Sequence, residues 1–290
     1  VYVSLSKGAD AVTMMNAAGY DVITLGNHEF DYGYEQIKAN MAAFNGKVLC
    51  ANVLKDGNSI YDGHTIIEKG GVKIGFFGLE TPEASTKANP ALIKGLLFPA
   101  EKEMYQLAEK QVEALKAEGA DIIVCLAHLG VDDESKPNRS YDLYANVKGI
   151  DFIIDAHSHT VMTAGANGEP IQSTGTAFAN IGVVVIDNAT KKIESNFLVK
   201  VREKAGDGEP ATPKDGAVQE IADQIKADID AAYGEVFAKT ETDLNGNKAP
   251  GNRTEETNLG DLITDAMLWK ILQNAEDLDV PEENILAITN

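Results

Sequence analysis

The 290-residue chain has little of several things. It has two cysteines, Cys50 and Cys125, each inside an apolar run ("KVLCANV", "IIVCLAHLG"). A disulfide framework shows more cysteines, set in loops, so the expectation is two buried free thiols. No apolar run approaches the ~18 residues that a membrane-spanning helix needs. Basic residues are scarce, 25 Lys and Arg against 45 Asp and Glu, giving a net charge of −20. That field opposes nucleic acid backbones and anionic membrane surfaces. It is compatible with an anionic small substrate delivered through a divalent metal, which inverts the local sign. There is no internal repeat, no low-complexity tract and no recognisable signal peptide.

Hydrophobic residues make up 44% of the chain, enough for a sizeable core. Buried strands are predicted at "DVITLG", "KVLCANV", "DIIVCLAHLG" and "DFIIDAHSHT". "GHTIIEKGGVKIGFFGLE" reads as a hairpin turning at Gly70-Gly71, and "IGVVVIDNATKKIESNFLVKV" as an antiparallel pair. Helices are predicted at 6–20, with Met14, Met15 and Ala18 on the apolar side, and over "YGYEQIKANMAAF". Another is predicted at 99–119, where Met104, Leu107, Ala108, Val112 and Leu115 keep helical spacing before Gly119. Alternating helices and buried strands imply an α/β class with a mixed sheet. "EKAGDGEPATPKDG" (203–216) is the linker candidate. A helix over 217–237 follows, then a turn-rich lead and a helix in "TETDLNGNKAPGNRTEETNLGDLITDAMLWKIL".

Histidine is also rare, and its placement is the strongest signal. Of five histidines, His28, His128, His157 and His159 follow predicted strands, and His64 does not. Ligands in open α/β sheets gather at the carboxyl ends of strands. The expectation is that Asn27, His128, His157 and His159 converge at one sheet edge, with His64 away from it. Nitrogen and oxygen donors without thiolates suit a catalytic rather than a structural metal centre. In "GNHEFD", His28 is free to face a substrate, and Asp31, three residues on, can accept its other N–H and fix its tautomer. A cationic His28 would stabilise phosphoryl charge or protonate a leaving group. Glu29 reads as a solvated or helix-capping carboxylate.

"GNHEFD", "AHLG" and "DAHSHT", in that order, resemble motifs of the calcineurin-like metallophosphoesterases. With "ETNLGDLITDA", the chain resembles more narrowly the bacterial secreted 5′-nucleotidase, UDP-sugar hydrolase and 2′,3′-cyclic phosphodiesterase family. The resemblance implies a four-layer α-β-β-α sandwich over 1–202. It implies a linker and connecting helix over 203–238 and the start of an α/β C-terminal substrate-binding domain over 239–290. It implies two divalent metal ions (zinc, manganese or similar), a nucleotide or nucleotide-sugar substrate, and a periplasmic, secreted or cell-surface location. Carried over by position, Asn27, His128 and His157 resemble ligands of one metal and His159 a ligand of the other. His28 and Asp31 resemble the catalytic dyad, and Arg253 an arginine presented to the substrate. Asn290 resembles the first residue of an Asn-Gly-Gly motif. The family's Asp-x-His and Gly-Asp motifs, the second of which supplies the bridging aspartate, have no counterpart in residues 1–290. The chain therefore reads as a central fragment, inactive by itself. Two other readings stay open: a surface-exposed binding protein keeping the fold, and a related metallohydrolase acting on a sulfur ester.

Overall fold

The computed structural model describes residues 2–205, 210–236, 238–273 and 280–288. Asn290 and part of the linker candidate, residues 206–209, lie outside the described residues. The chain forms two compact units, Val1–Ile229 and Asp230–Asn290.

The first unit is organised by a long hydrophobic strand. β8 (Ile122–His128) lies inside a six-stranded sheet with β5 (His64–Lys69), β6 (Val72–Glu80), β9 (Phe152–Asp155), β10 (Val161–Met162) and β11 (Ile171–Thr174). Their order is β10-β11-β9-β8-β6-β5. β6, β8, β9 and β11 run parallel, while β5 and β10 run antiparallel to their neighbours. Six of the seven residues of β8 are buried, because both faces of the sheet are covered. Ile123, Cys125 and Ala127 join the core that holds Met104, Ala108 and Val112 of α5 (Glu101–Ala117). Ile122, Val124 and Leu126 point the other way. They pack against Val184, Ile186 and Ile193 of the hairpin β12 (Asn180–Asp187) and β13 (Lys192–Lys200). The period of two along one strand therefore feeds two separate cores.

The second sheet layer also contains β1 (Val22–Thr24) and β2 (Lys47–Leu49), paired in parallel. Gly78 of β6 lets this layer come close: a Cβ there would stand 2.4 Å from the Leu49 carbonyl oxygen. The outer layer comprises α2 (Ala9–Ala18) and α3 (Tyr34–Ala42). Ile37 of α3 shares a core with Leu25, Phe30 and Cys50. The layers run helix, sheet, sheet, helix, the α-β-β-α sandwich expected from the motifs.

Some local predictions need correction. The helix predicted over 6–20 is broken. A short α1 (Tyr2–Ser6) is separated from α2 by Lys7 and Gly8, both with positive φ, 51° and 94°. Val12 is the buried residue of α2, and Ala18 is exposed. The unpredicted short elements β3 (Leu54–Lys55), β4 (Asn58–Ser59), α4 (Ala84–Lys87), β7 (Leu96–Leu97) and α6 (Ser140–Asn146) decorate the crossovers. The helix predicted over 217–237 is α7 (Gly216–Tyr233). In the second unit, α8 (Asn258–Leu272) starts at an N-cap, Thr257, whose hydroxyl accepts the Gly260 N–H at 3.0 Å.

Candidate active site

The site lies where strands of both sheet layers end. After β1 the chain passes through Gly26 into a single-turn 3-10 segment, Asn27–Tyr32, capped by the Glu29 carboxylate accepting the Gly26 N–H. Glu29 is thus a capping residue. The segment holds Asn27 in a buried position and turns His28 outward. His128 is the last residue of β8, and His157 follows β9 by two residues. The convergence therefore draws on two layers rather than on the edge of one sheet, because β1 pairs with β2 and not with β8.

Asn27, His128 and His157 come together. Asn27 Oδ1 lies 3.0 Å from His128 Nε2 and 3.1 Å from His157 Nδ1. The two imidazole rings meet edge to face, with centroids 5.1 Å apart. Burial, reinforced by His157, His28 and His159, pushes the His128 pKa down to about 3, so this ring is neutral at physiological pH. His28 Nδ1 is 2.9 Å from Asp31 Oδ2, and the imidazole is 81% exposed. The Asp31 carboxylate thus engages one ring nitrogen and leaves Nε2 to the solvent.

Gly26 explains how the three groups fit. A Cβ on Gly26 would stand 2.8 Å from Cε1 and 2.9 Å from Nδ1 of His128. His157 has φ +88° and His159 φ +56°, conformations that cost roughly 1–3 kcal/mol for residues other than glycine. Hydrogen bonds hold the strained loop: Ala156 N–H to the Ala127 carbonyl at 2.9 Å, and Val131 N–H to Ser158 Oγ at 3.2 Å.

Sequence reasoning missed three carboxylates. Asp155 is buried and accepts from Gly130 N–H at 3.1 Å and from the Ser140 hydroxyl, which ties the turn after His128 to the end of β9. Burial pushes its pKa up to about 7 against these hydrogen bonds. Glu83, just before α4, lies 3.3 Å from His157 Nε2 and 2.6 Å from Lys87 Nζ. Burial raises its pKa, but Lys87, Ser135 and His157 prevail and hold it at about 2. Glu80 sits beside His128 in the sheet register and is wholly buried. Burial, with Glu29 nearby, pushes its pKa well above the usual carboxylate range. Glu80 and Asp155 are the last residues of β6 and β9; Asp155 opens the "DAHSHT" motif but carries no sign of its hydrogen-bonding role, and Glu80 lies in no motif. Glu83 lies in a turn with no motif.

The other predicted residues are placed differently. His159 is exposed on its loop, although it contributes to depressing His128. His64, at the start of β5, is held by Gln111 at 2.7 Å and Glu118 at 3.1 Å, away from the cluster. Arg253 belongs to the second unit and is exposed. Among the described residues, no three His, Cys, Asp or Glu side chains by themselves form a metal-holding group. The convergent set is two imidazoles and an amide. Its spacing suits a divalent ion, since donors at about 2.1 Å and right angles around one ion lie about 3.0 Å apart. Cys50 and Cys125 are free and buried, and burial pushes Cys50 up to about 12.

Comparison with known proteins places the chain among its relatives. Residues 2–171 match the family described as bacterial capsule synthesis protein PGA_cap. The chain is 26% identical over 319 aligned positions to the trifunctional nucleotide phosphoesterase protein YfkN of Bacillus subtilis, covering 98% of this chain and 21% of that protein. It is 27% identical over 302 positions to the 5′-nucleotidase of Bos taurus, covering 96% and 50%. The chain thus spans from about a fifth to a half of the length of these relatives. In structure it is similar to a 5′-nucleotidase precursor from Thermus thermophilus, with a TM-score of 0.70 and 24% identity, over 94% of this chain and 56% of that one.

Proposed function

We infer that this chain, which belongs to the PGA_cap family, is the metal-bearing part of a nucleotide phosphoester hydrolase of the calcineurin-like type. Its substrates would be nucleoside monophosphates, nucleotide sugars or 2′,3′-cyclic nucleotides. The observation that carries this reading is the meeting of Asn27, His128 and His157 beside an exposed His28–Asp31 pair. The PGA_cap description speaks of capsule synthesis by its members, and nothing in the site geometry selects that role over hydrolysis.

In this reading Asn27, His128 and His157 hold one divalent ion, and His159 contributes to a second. The metals, zinc or manganese by donor type, supply Lewis acidity and a hydroxide nucleophile when bound. The low pKa of His128 keeps its lone pair available near neutral pH. Asp31 orients His28 so that Nε2 faces outward, able to donate to a phosphoryl or leaving-group oxygen. Arg253 is assigned to substrate binding on the resemblance alone. We assign residues 1–202 to the phosphoesterase domain, 203–238 to the linker and connecting helix, and 239–290 to the substrate-binding domain. No helix among the described residues is long and apolar enough to cross a membrane. A periplasmic, secreted or cell-surface location completes the proposal.

The test is phosphate release from 5′-AMP, UDP-glucose and 2′,3′-cyclic AMP by the full-length gene product with added Mn²⁺ or Zn²⁺. Turnover abolished by chelation and restored by metal is expected. Metal binding without turnover of any phosphoester, but with turnover of a sulfur ester, would replace this reading with the sulfur-ester alternative. No binding and no turnover would leave a binding protein on the same fold.

A further inference from the structure

We propose that Glu83, anchored by Lys87, is a positioning residue that accepts a hydrogen bond from the Nε2–H of His157 and so turns the Nδ1 lone pair into the metal site. The proposal rests on the reading of Asn27, His128 and His157 as ligands. It adds a residue outside the motifs that suggested that reading.

The argument is one of proton counting. His157 has a polar partner at each ring nitrogen: Asn27 Oδ1 at 3.1 Å from Nδ1, and Glu83 Oε2 at 3.3 Å from Nε2. Both partners are acceptors, and a neutral imidazole has one N–H. If the proton is on Nδ1, the Nε2 lone pair faces a carboxylate. If it is on Nε2, the Nδ1 lone pair faces the amide oxygen, which His128 Nε2 also approaches at 3.0 Å. A carboxylate is the stronger acceptor, so the neutral ring donates Nε2–H to Glu83. The electron-rich face left between Nδ1 and the Asn27 oxygen is then satisfied by a cation.

Glu83 is held for this task. Lys87 lies one helical turn further on, with Nζ 2.6 Å from the same Oε2 that meets His157. The Glu83 carboxylate is 23% exposed and His157 12%, so the contact is largely shielded from water. His157 sits at φ +88° with its ring gripped from both sides, and losing the outer grip frees it to rotate. Ligating histidines that lose such a carboxylate partner typically lose 10–100-fold in metal affinity.

The experiment uses the full-length gene product and two readouts. In metal-free protein at pH 8.5, above the ordinary imidazole range, proton NMR should show a downfield His157 Nε2–H protected from exchange. Glu83→Leu should lose that signal, and Glu83→Gln, which keeps an acceptor, should retain it. Calorimetric titration with Mn²⁺ should show a Kd 10–100-fold weaker for Glu83→Leu, largely rescued in Glu83→Gln, with Lys87→Met in between. Melting curves confirm that each variant folds. Unchanged Mn²⁺ affinity in folded Glu83→Leu overturns the proposal, whether or not the proton signal is lost. A wild-type protein that binds no Mn²⁺ or Zn²⁺ overturns the ligand reading itself. In that case the proton signal still reports whether Glu83 holds His157, so the two failures are distinguishable.

Discussion

Gly26→Ala tests the geometry of the site with a single methyl group. Gly26 has φ −124° and ψ 171°, an extended conformation open to alanine, so the change adds no backbone strain. What it adds is a Cβ 2.8 to 3.0 Å from three atoms of the His128 ring. Carbon contacts become comfortable at about 3.5 Å, so the ring has to retreat by roughly 0.7 Å. Metal–ligand distances tolerate about 0.2 Å. The displacement also breaks the 3.0 Å approach of His128 Nε2 to Asn27 Oδ1. Stability should fall by no more than about 2.6 kcal/mol. Alanine reduces the freedom of the unfolded chain, worth about 0.4–1 kcal/mol, against an overpacking cost of about 1–3 kcal/mol. Calorimetric titration of the full-length gene product with Mn²⁺ should therefore show affinity falling by at least about tenfold, as for other disturbances of ligand orientation. Gly216→Ala is the control, because a Cβ there meets nothing within 4 Å. A folded Gly26→Ala protein that binds metal like wild type would refute the assignment of His128 as a ligand held against Gly26.

Three further outcomes follow from other residues. His28→Asn should lower turnover by roughly 10²–10⁴-fold at unchanged metal content, with a smaller loss for Asp31→Asn; activity lost in step with bound metal would make His28 a ligand instead. Asp155 gives a pH dependence in metal-free protein: its folded pKa of about 7 lies above the unfolded value of 3.8, so its contribution is fully present below pH 3.8 and is lost as pH rises through 7. Urea melts of Asp155→Asn against wild type should therefore shift in favour of the variant between pH 4.5 and 8, by roughly 3 kcal/mol, and a pH-independent difference would show the carboxyl is not held neutral. Met104→Ala, at a fully buried α5 position, should cost about 2–5 kcal/mol in the same melts, and a loss below about 1 kcal/mol would mean that the helix does not pack on the sheet as described.

Much of the fold was legible because burial leaves a periodic mark. The spacing of Met104, Leu107, Ala108, Val112 and Leu115 predicted α5; four of these are buried and Leu107 is half-buried. Gly70-Gly71 predicted the β5–β6 hairpin, and both glycines carry positive φ. The unbroken apolar run of β8 predicted a strand covered on both faces. The break after α1 escaped because 6–20 keeps a helical pattern across Lys7 and Gly8. The two-residue strands escaped because two residues hold no period. The placement of β1 in the second layer was not legible either, since a strand's own residues do not say which sheet it joins.

The site divides along a similar line. Asn27, His28 and Asp31 stand within five residues, and His128 and His157 each stand at the end of an apolar run, so local chemistry marks them. Their supporting groups carry no local mark. Glu83 and His157 are 74 residues apart in sequence, and Asp155 reaches back 25 residues to the Gly130 N–H. An acid in a turn before a short helix reads as solvated, and an acid at the end of an apolar strand reads as the start of a turn. What gives each a role is the contact that folding creates, and that contact depends on where β6, β8 and β9 end relative to one another. The register settles this: Glu80 is opposite His128, so the turn that follows Glu80 delivers Glu83 to the edge where His128 and His157 emerge. The residues proposed to bind and react are legible from local composition and spacing, whereas those proposed to aim them become legible only when strand register is known.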